Sequence, residues 1–403
     1  MNNYYPKIEN QEALLKNLCK HRLYDLYEKP SQELEQRLDY ELDIINKTNT
    51  TGIFIILNRV FRSLKIKSYQ FGLRGLIGGS LVAYLCGISN VDPVKYGLSQ
   101  YVTFGVRNTY KVPDININLN TETDLKFRLI NEIEACDEIY KMIPIKSKSK
   151  LYGNIESNIY SYYIIPIIHN YNDDDYRLLI NRLDNTSFQD INEFYKIYLL
   201  SLNSIKVLEE LINDTGNDLS NLDIDNADIV KYISDENYEE IFDNIFVFNY
   251  ELIVDIANMA KPKTFYDLVK IISLAHGDGV WDNNFKNLIN DKKATLQDII
   301  SNRDDLFDIL VNHNVSIDES YKIMEEVRKG RGNIYREQYK RLSNEHNLPN
   351  WFTDSCSKIK YLFPKAHAIS YTLIVWKLLW FKIHSYKEFN QALEEYKEIK
   401  KEI

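Results

Sequence analysis

The chain has 403 residues, 44% of them hydrophobic and 27% charged, which suits two or three globular domains and excludes disorder over most of the length. Its net charge of −9 excludes a molecule whose whole surface attracts nucleic acid, while leaving room for local basic patches. No CxxC pair, GxSxG, HExxH, Walker A or EF-hand pattern occurs, so the common zinc, hydrolase and NTPase signatures are missing. Cys19, Cys86, Cys136 and Cys356 lie far apart and read as reduced thiols of a cytoplasmic protein. The polar start has no signal-peptide core, and the longest apolar stretch, Ala368 to Phe381, is too short to span a bilayer.

In chain order, residues 8–47 read as helical, with Leu14, Leu18, Leu23, Leu26, Leu34, Leu38 and Leu42 at three- and four-residue spacing. The apolar run from Gly52 through Leu64 favours a buried helix. A glycine-punctuated loop, Phe71 to Ser80, then feeds a helix through Leu85. Val112 to Leu119 alternates with period two and reads as a strand. Lys146 to Lys150 reads as a loop, followed by a Tyr/Ile-rich apolar segment that ends near Asn170. A further apolar element, Phe194 to Leu200, precedes a helix to about Ile212. Asp214 to Asp228 is the best linker. From 229 to the end the pattern is almost wholly helical, with turns expected at Pro262, Gly277, Gly330 to Gly332, Pro349 and Pro364.

Charge is unevenly placed. Between Ile44 and Val91 there is no Asp or Glu, while Lys47, Arg59, Arg62, Lys65, Lys67 and Arg74 are present. A second acid-free window, Ser355 to Lys387, carries Lys358, Lys360, Lys365, Lys377, Lys382 and Lys387. A smaller basic run, Arg328 to Arg331 with Arg336, Lys340 and Arg341, lies between them. In an acidic protein such segregation suggests a basic cleft for phosphates.

Two segments have the form of chemistry-bearing motifs. Gly72 to Ser80 ahead of a helix suits a phosphate: glycines open the backbone N–H groups, Ser80 can cap the helix or touch an oxygen, and Arg74 can pair with one. Pro113-Asp-Ile-Asn places Asp114 and Asn116 on one face of a strand. Asp-x-Asp at such a place holds two divalent cations, but here the second position is the neutral Asn116. The histidines do not cluster as metal ligands. His276 and His367 each lie in an apolar stretch, where a histidine is most often a core or capping group.

Taken together these segments resemble the catalytic core of the bacterial DNA polymerase III alpha subunit, PolC type. The resemblance is carried by Arg37 to Ile45, Gly72 to Tyr84, Val91-Asp-Pro, Pro113 to Asn118, Pro262 to Lys270, Leu274 to Trp281, Arg303-Asp-Asp, Ile323 to Gly332 and, above all, Trp351 to Ala368. It covers residues 8–118 and about 190–385, whereas 119–190 match poorly. It implies an α+β fold: a nucleotidyltransferase-type palm with a mixed sheet at 1–213, including a shortened thumb-like insertion at about 119–190, and a mostly helical fingers domain at 222–403. It also implies that Arg74, Gly78, Ser80, Arg303, Lys365 and His367 face nucleotide or phosphate, and that Lys358 and Lys360 meet DNA.

The family's three metal-binding aspartates map onto Asp114, Asn116 and Tyr198, so one acid of three remains. The phosphate loop has Leu76 where the family has a serine. Asp173, Asp174, Asp175, Asp184 or Asp190 could stand in, although their spacing does not argue for it. The family's exonuclease, metallophosphoesterase-like, duplex-binding and clamp-binding regions find no counterpart. The expectation is therefore a DNA replication protein, catalytically inactive, that binds DNA or the host replisome and is encoded on a plasmid or phage. It needs no cofactor, with Mg²⁺ at Asp114 only if activity survives. The alternatives are an active, distributive DNA-directed DNA polymerase with a rearranged metal site, and an interaction module that does not bind DNA.

Overall fold

The computed structural model describes residues 7–66, 70–120, 140–150, 156–166, 195–245 and 250–402. The chain divides into two units, one formed by Met1–Phe104 with Tyr110–Ile205, the other by Gly105–Thr109 with Lys206–Ile403.

In the first unit the helical stretch read from 8 to 47 is two helices, α1 (Gln11–Leu26) and α2 (Gln32–Lys47). They separate at Pro30, which cannot continue a helix, and Ser31, whose hydroxyl accepts from the Leu34 N–H at 3.2 Å to start the next. α3 (Thr51–Ile66), α4 (Leu81–Leu85) and α5 (Gln100–Phe104) follow. The strands among the described residues are β1 (Gly72–Arg74), β2 (Ile115–Leu119), β3 (Tyr140–Lys150), β4 (Glu156–Pro166) and β5 (Tyr195–Ser201). They form one mixed sheet in the order β1-β2-β5-β4-β3, with β2 and β5 parallel and the other neighbours antiparallel. Lys146 to Lys150, expected as a loop, is instead the end of β3. Its alternating Lys and Ser suit an edge strand, where lysines discourage pairing with another chain.

One face of β2 supplies Ile115, Ile117 and Leu119 to the core, which they share with Ile197 of β5 and with Leu15, Cys19, Leu38, Leu42, Phe54 and Phe61 of the helices. The Cys19 and Cys86 thiols meet there at 3.9 Å. Because alternate residues of a strand face opposite ways, Asp114, Asn116 and Asn118 fall on the other face. The apolar lining of α2 is interrupted by Glu41, which has no solvent exposure. Its carboxylate takes the Arg37 guanidinium at 3.0 Å, the Ser80 hydroxyl at 2.9 Å and the Val82 N–H at 3.0 Å. Arg37 also donates to the Leu98 and Gly79 carbonyls at 2.8 and 2.7 Å. The loop after β1 is thereby clamped to α2.

The second unit is helical: α6 (Asn203–Thr215, which starts in the first unit), α7 (Ala227–Ser234), α8 (Tyr238–Phe242), α9 (Tyr250–Ala260), α10 (Phe265–His276), α11 (Lys286–Asn290), α12 (Arg303–Asn312), α13 (Ile317–Val327), α14 (Arg336–His346), α15 (Phe352–Lys358), α16 (Lys365–His384) and α17 (Tyr386–Glu402). α16 is buried nearly all round, as an apolar helix at the centre of a bundle must be. It packs on α10 with the Phe265 and Trp376 rings edge to face at 5.5 Å. Thr264 and Asp267 close a reciprocal capping box at the start of α10. Trp376 Nε1 donates to the Asp223 carbonyl at 2.8 Å, which ties the 214–228 segment to α16.

Removing one partner of a buried ion pair strands the other charge, at a cost of about 3–5 kcal/mol. Glu41→Ala is expected to lose that much in chemical denaturation. The Arg37→Ala/Glu41→Ala pair should lose clearly less than the sum of the two single changes.

Candidate functional site

On the face of the sheet away from the helical core, one row of register partners crosses three strands: Arg74 on β1, Asn116 on β2 and Tyr198 on β5. Asp114 immediately precedes β2. The two strands that sequence reasoning chose for the degenerate metal positions are thus direct neighbours, and Asn116 and Tyr198 lie side by side. Gly75, at φ +75°, turns the chain out of β1, and a Cβ there would sit 3.7 Å from Asn116 Nδ2. Arg74, Asn116 and Tyr198 are half-buried, and Asp114 is exposed. Asn116 Nδ2 donates to the Asp114 carbonyl at 3.4 Å.

The electrostatics of this row differ from those of a cation site. Burial, and secondarily the Asp114 carboxylate, push the Tyr198 phenol above its ordinary range, so at neutral pH it stays protonated and is a poor ligand. Asn116 contributes no charge. Holding two dications 3.5–4 Å apart takes several carboxylates, and this row has one. Among the described residues no group of three or more His, Cys, Asp or Glu side chains could hold a metal ion, so the residues do not fit the paired cations of an active nucleotidyltransferase. Asp173, Asp174, Asp175, Asp184 and Asp190 lie outside the described residues.

The Gly72–Ser80 loop, expected to hold a phosphate, is split by its own packing. Arg74 joins the row above, whereas Ser80 is fully buried as the first cap of α4, accepting from the Ala83 N–H at 3.0 Å and donating to Glu41. Gly78 is buried in a short 3-10 turn, Ile77–Gly79. Neither presents a donor to solvent. Glu41 itself was given no role by sequence reasoning. Its signal was a carboxylate four residues after Arg37 on the apolar face of α2.

In the second unit the motifs singled out from sequence converge on the segment 358–367. Asp278 forms a two-stranded bridge with Tyr361, and its carbonyl accepts from the Lys360 and Tyr361 N–H groups at 2.8 and 3.1 Å. Gly279, at φ +67°, lies against the Lys358 carbonyl where a Cβ would collide with backbone. Arg303 is buried, its Nε donating to the Leu362 carbonyl at 3.0 Å and its guanidinium 5.7 Å from the Tyr361 ring centroid. It clamps this segment from within. His367 is buried too, stacked on Phe363 at 4.4 Å and edge-on to Tyr371 at 4.3 Å. Lys358 pairs with Asp354 at 2.6 Å, and Lys360 lies 3.8 Å from Asp278 with 72% of its side chain exposed. The acid-free window is therefore only partly a basic surface. Lys382 turns inward, its ammonium donating to the Ile241 and Asp243 carbonyls at 3.3 and 3.1 Å and to that of Glu240.

Lys365, the first residue of α16, is half-buried and belongs to a cluster of charges with Asp304, Asp305, Asp308 and Lys270. Burial first, then the Asp304 carboxylate, push the Asp308 carboxyl up to about 7, against the pull of Lys365. A raised carboxyl means the folded state holds a proton that the unfolded chain has released, so stability falls as pH rises from about 4 to about 7. Asp308→Asn should flatten that fall and be more stable than the wild type at pH 8, by about 2–4 kcal/mol, with the two alike at pH 4. Denaturant titrations at the two pH values check this.

Two family models match the chain, "Bacterial DNA polymerase III alpha NTPase domain" over residues 13–147 and "Bacterial DNA polymerase III alpha subunit finger domain" over residues 201–347. Curated relatives agree with them. The DNA polymerase III PolC-type of Thermotoga petrophila is 26% identical over 96% of this chain and 35% of its own length. That of Mycoplasmopsis pulmonis is 28% identical over 94% of this chain and 33% of its own length. A shorter match, to the PolC-type polymerase of Lactococcus lactis, reaches 43% identity over 31% of the chain. The chain spans about a third of the length of the relatives that match it from end to end. With its NTPase-domain and finger-domain matches and these relatives in agreement, the chain resembles the bacterial DNA polymerase III alpha subunit of PolC type.

Proposed function

We propose that the chain is a replication-associated relative of the PolC-type polymerases that handles DNA without synthesising it. The observation that carries this reading is the row Arg74–Asn116–Tyr198 beside Asp114. It sets Asn116 and Tyr198 side by side on neighbouring strands, with only one of the three carboxylates that the resemblance leads one to expect. Without the metals, little remains to activate a primer hydroxyl or stabilise a departing pyrophosphate. The scaffold of the first unit around the row is complete at the Glu41 clamp. A protein of this kind fits an accessory role on a plasmid or phage, where DNA contact or engagement of the host replisome is useful in itself.

The DNA-handling half of the proposal draws on Lys358 and Lys360, which stand on the segment where the motifs of the second unit meet and retain substantial exposure. Such contacts should be sequence-tolerant and should weaken steeply with salt. Template-dependent primer extension by the pure protein with Mg²⁺ or Mn²⁺, lost in Asp114→Ala, would overturn the inactive reading in favour of a distributive polymerase. The expected result is no extension by either protein. Calorimetry supplies the converse check: Asn116→Asp combined with Tyr198→Asp should create Mn²⁺ binding that the wild type lacks. For DNA, Lys358→Gln with Lys360→Gln should lower the log–log salt slope on duplex by up to about 1.8, at about 0.9 per neutralised phosphate. A wild-type chain that binds no DNA in any form would leave the interaction-module reading in its place.

A further inference from the structure

We propose that a cleft in the second unit, between α14 and the start of α15, seats the phosphates of a single DNA strand. The proposal rests on the DNA-handling reading above and assigns a place to Arg336 and Lys340 of the basic run, which the row on the sheet does not use. The cleft has a volume of about 610 Å³ and is walled by Arg336, Lys340, Asn344, Asn347, Asn350 and Asp354 among others. Arg336, Lys340 and Asn344 recur at four-residue spacing along one side of α14. That helix buries only Tyr339 and Leu342, so its polar side has no part in the core. Asn347, in the left-handed region at φ +53°, ends α14 and turns the chain so that residues 347–350 build the opposite wall.

The lining is polar throughout apart from Leu348 and Pro349, which argues against an apolar ligand and for one that takes many hydrogen bonds. Its charge is positive. Arg336 and Lys340 face one carboxylate, Asp354, and that carboxylate is already divided between Arg336 at 3.3 Å and Lys358 at 2.6 Å. Lys340 pairs with Glu337 at 2.7 Å outside the lining, with half of its own side chain exposed. Asp354 thus holds the Arg336 guanidinium and the Lys358 ammonium about a single anionic point, the arrangement a phosphate would adopt. Carboxamides at 344, 347 and 350 add donors suited to phosphate, sugar or base edges. A concave cleft of this size admits the backbone of one strand, whereas a duplex presents a convex surface to it.

The test is fluorescence anisotropy of the full chain with a labelled oligothymidylate across a salt series. Arg336→Gln with Lys340→Gln should weaken binding about tenfold at low salt and reduce the log–log slope by about 1.4, at about 0.7 per phosphate on single strands. Asn344→Asp, which places a negative charge in the cleft without removing a cation, should weaken binding as well. Asp354→Asn, which removes the competing anion, should tighten it several-fold. Lys16→Gln, on an exposed pair of α1, should change nothing. If the wild type binds the oligonucleotide and the Arg336/Lys340 and Asn344 variants bind it equally well with the same slope, the cleft assignment is overturned while the DNA-handling reading stands. If the wild type has no affinity at all, both fall.

Discussion

A single buried carboxylate organises the first unit. Glu41 accepts from a guanidinium, a hydroxyl and a backbone amide, and through Arg37 it reaches two further carbonyls. An ion removed from water is tolerable only when its partners are complete. Each of those partners therefore has one permitted position, and they belong to α2, to the loop after β1 and to the stretch before α5. With the loop held there, β1 is held against β2, and Arg74 stands beside Asn116 as a consequence. The same demand explains why Ser80 serves the interior: its oxygen is already committed at both the donating and the accepting end.

Much of the scaffold was legible in the residues. The period-two run at Val112–Leu119 became β2 over Ile115–Leu119, the apolar stretch at Phe194–Leu200 became β5, and their adjacency placed Asn116 beside Tyr198 as register partners. The turns expected at Pro262, Gly277, Pro349 and Pro364 all fall between helices. What the residues did not disclose was direction. Lys382 and Arg303 look in sequence like surface cations, yet both point inward to backbone carbonyls that lie 59 or more positions away in the chain. Charge runs report composition, whereas the pairing of each charge depends on contacts that only the folded chain brings together. Lys146–Lys150 failed for a different reason: lysine is depleted in strands generally, but an edge strand is where it is tolerated.

The chemistry of the row on the sheet follows from which side chains carry charge. Three carboxylates at close range repel one another and need cations to be stable together. An amide and a protonated phenol do not. Asn116 and Tyr198 add no negative charge beside Asp114, so the register of β1, β2 and β5 at this row does not depend on a bound ion.

The close approach at Gly279 carries a consequence for how such a chain can change over time. The Cys356–Lys360 backbone passes so near residues 279 and 330–332 that side chains at Gly279, Gly330 or Gly332 would strike it, the first two at Lys358 and Lys360 and the third at Cys356. Three stretches remote in sequence are therefore interlocked by the absence of atoms, and a substitution in one demands compensation in the others. Motifs of this kind persist under the requirement to fold, whether or not any reaction is under selection. The motifs of the second unit are consequently statements about architecture, because the contacts that need them are backbone contacts of the folded chain.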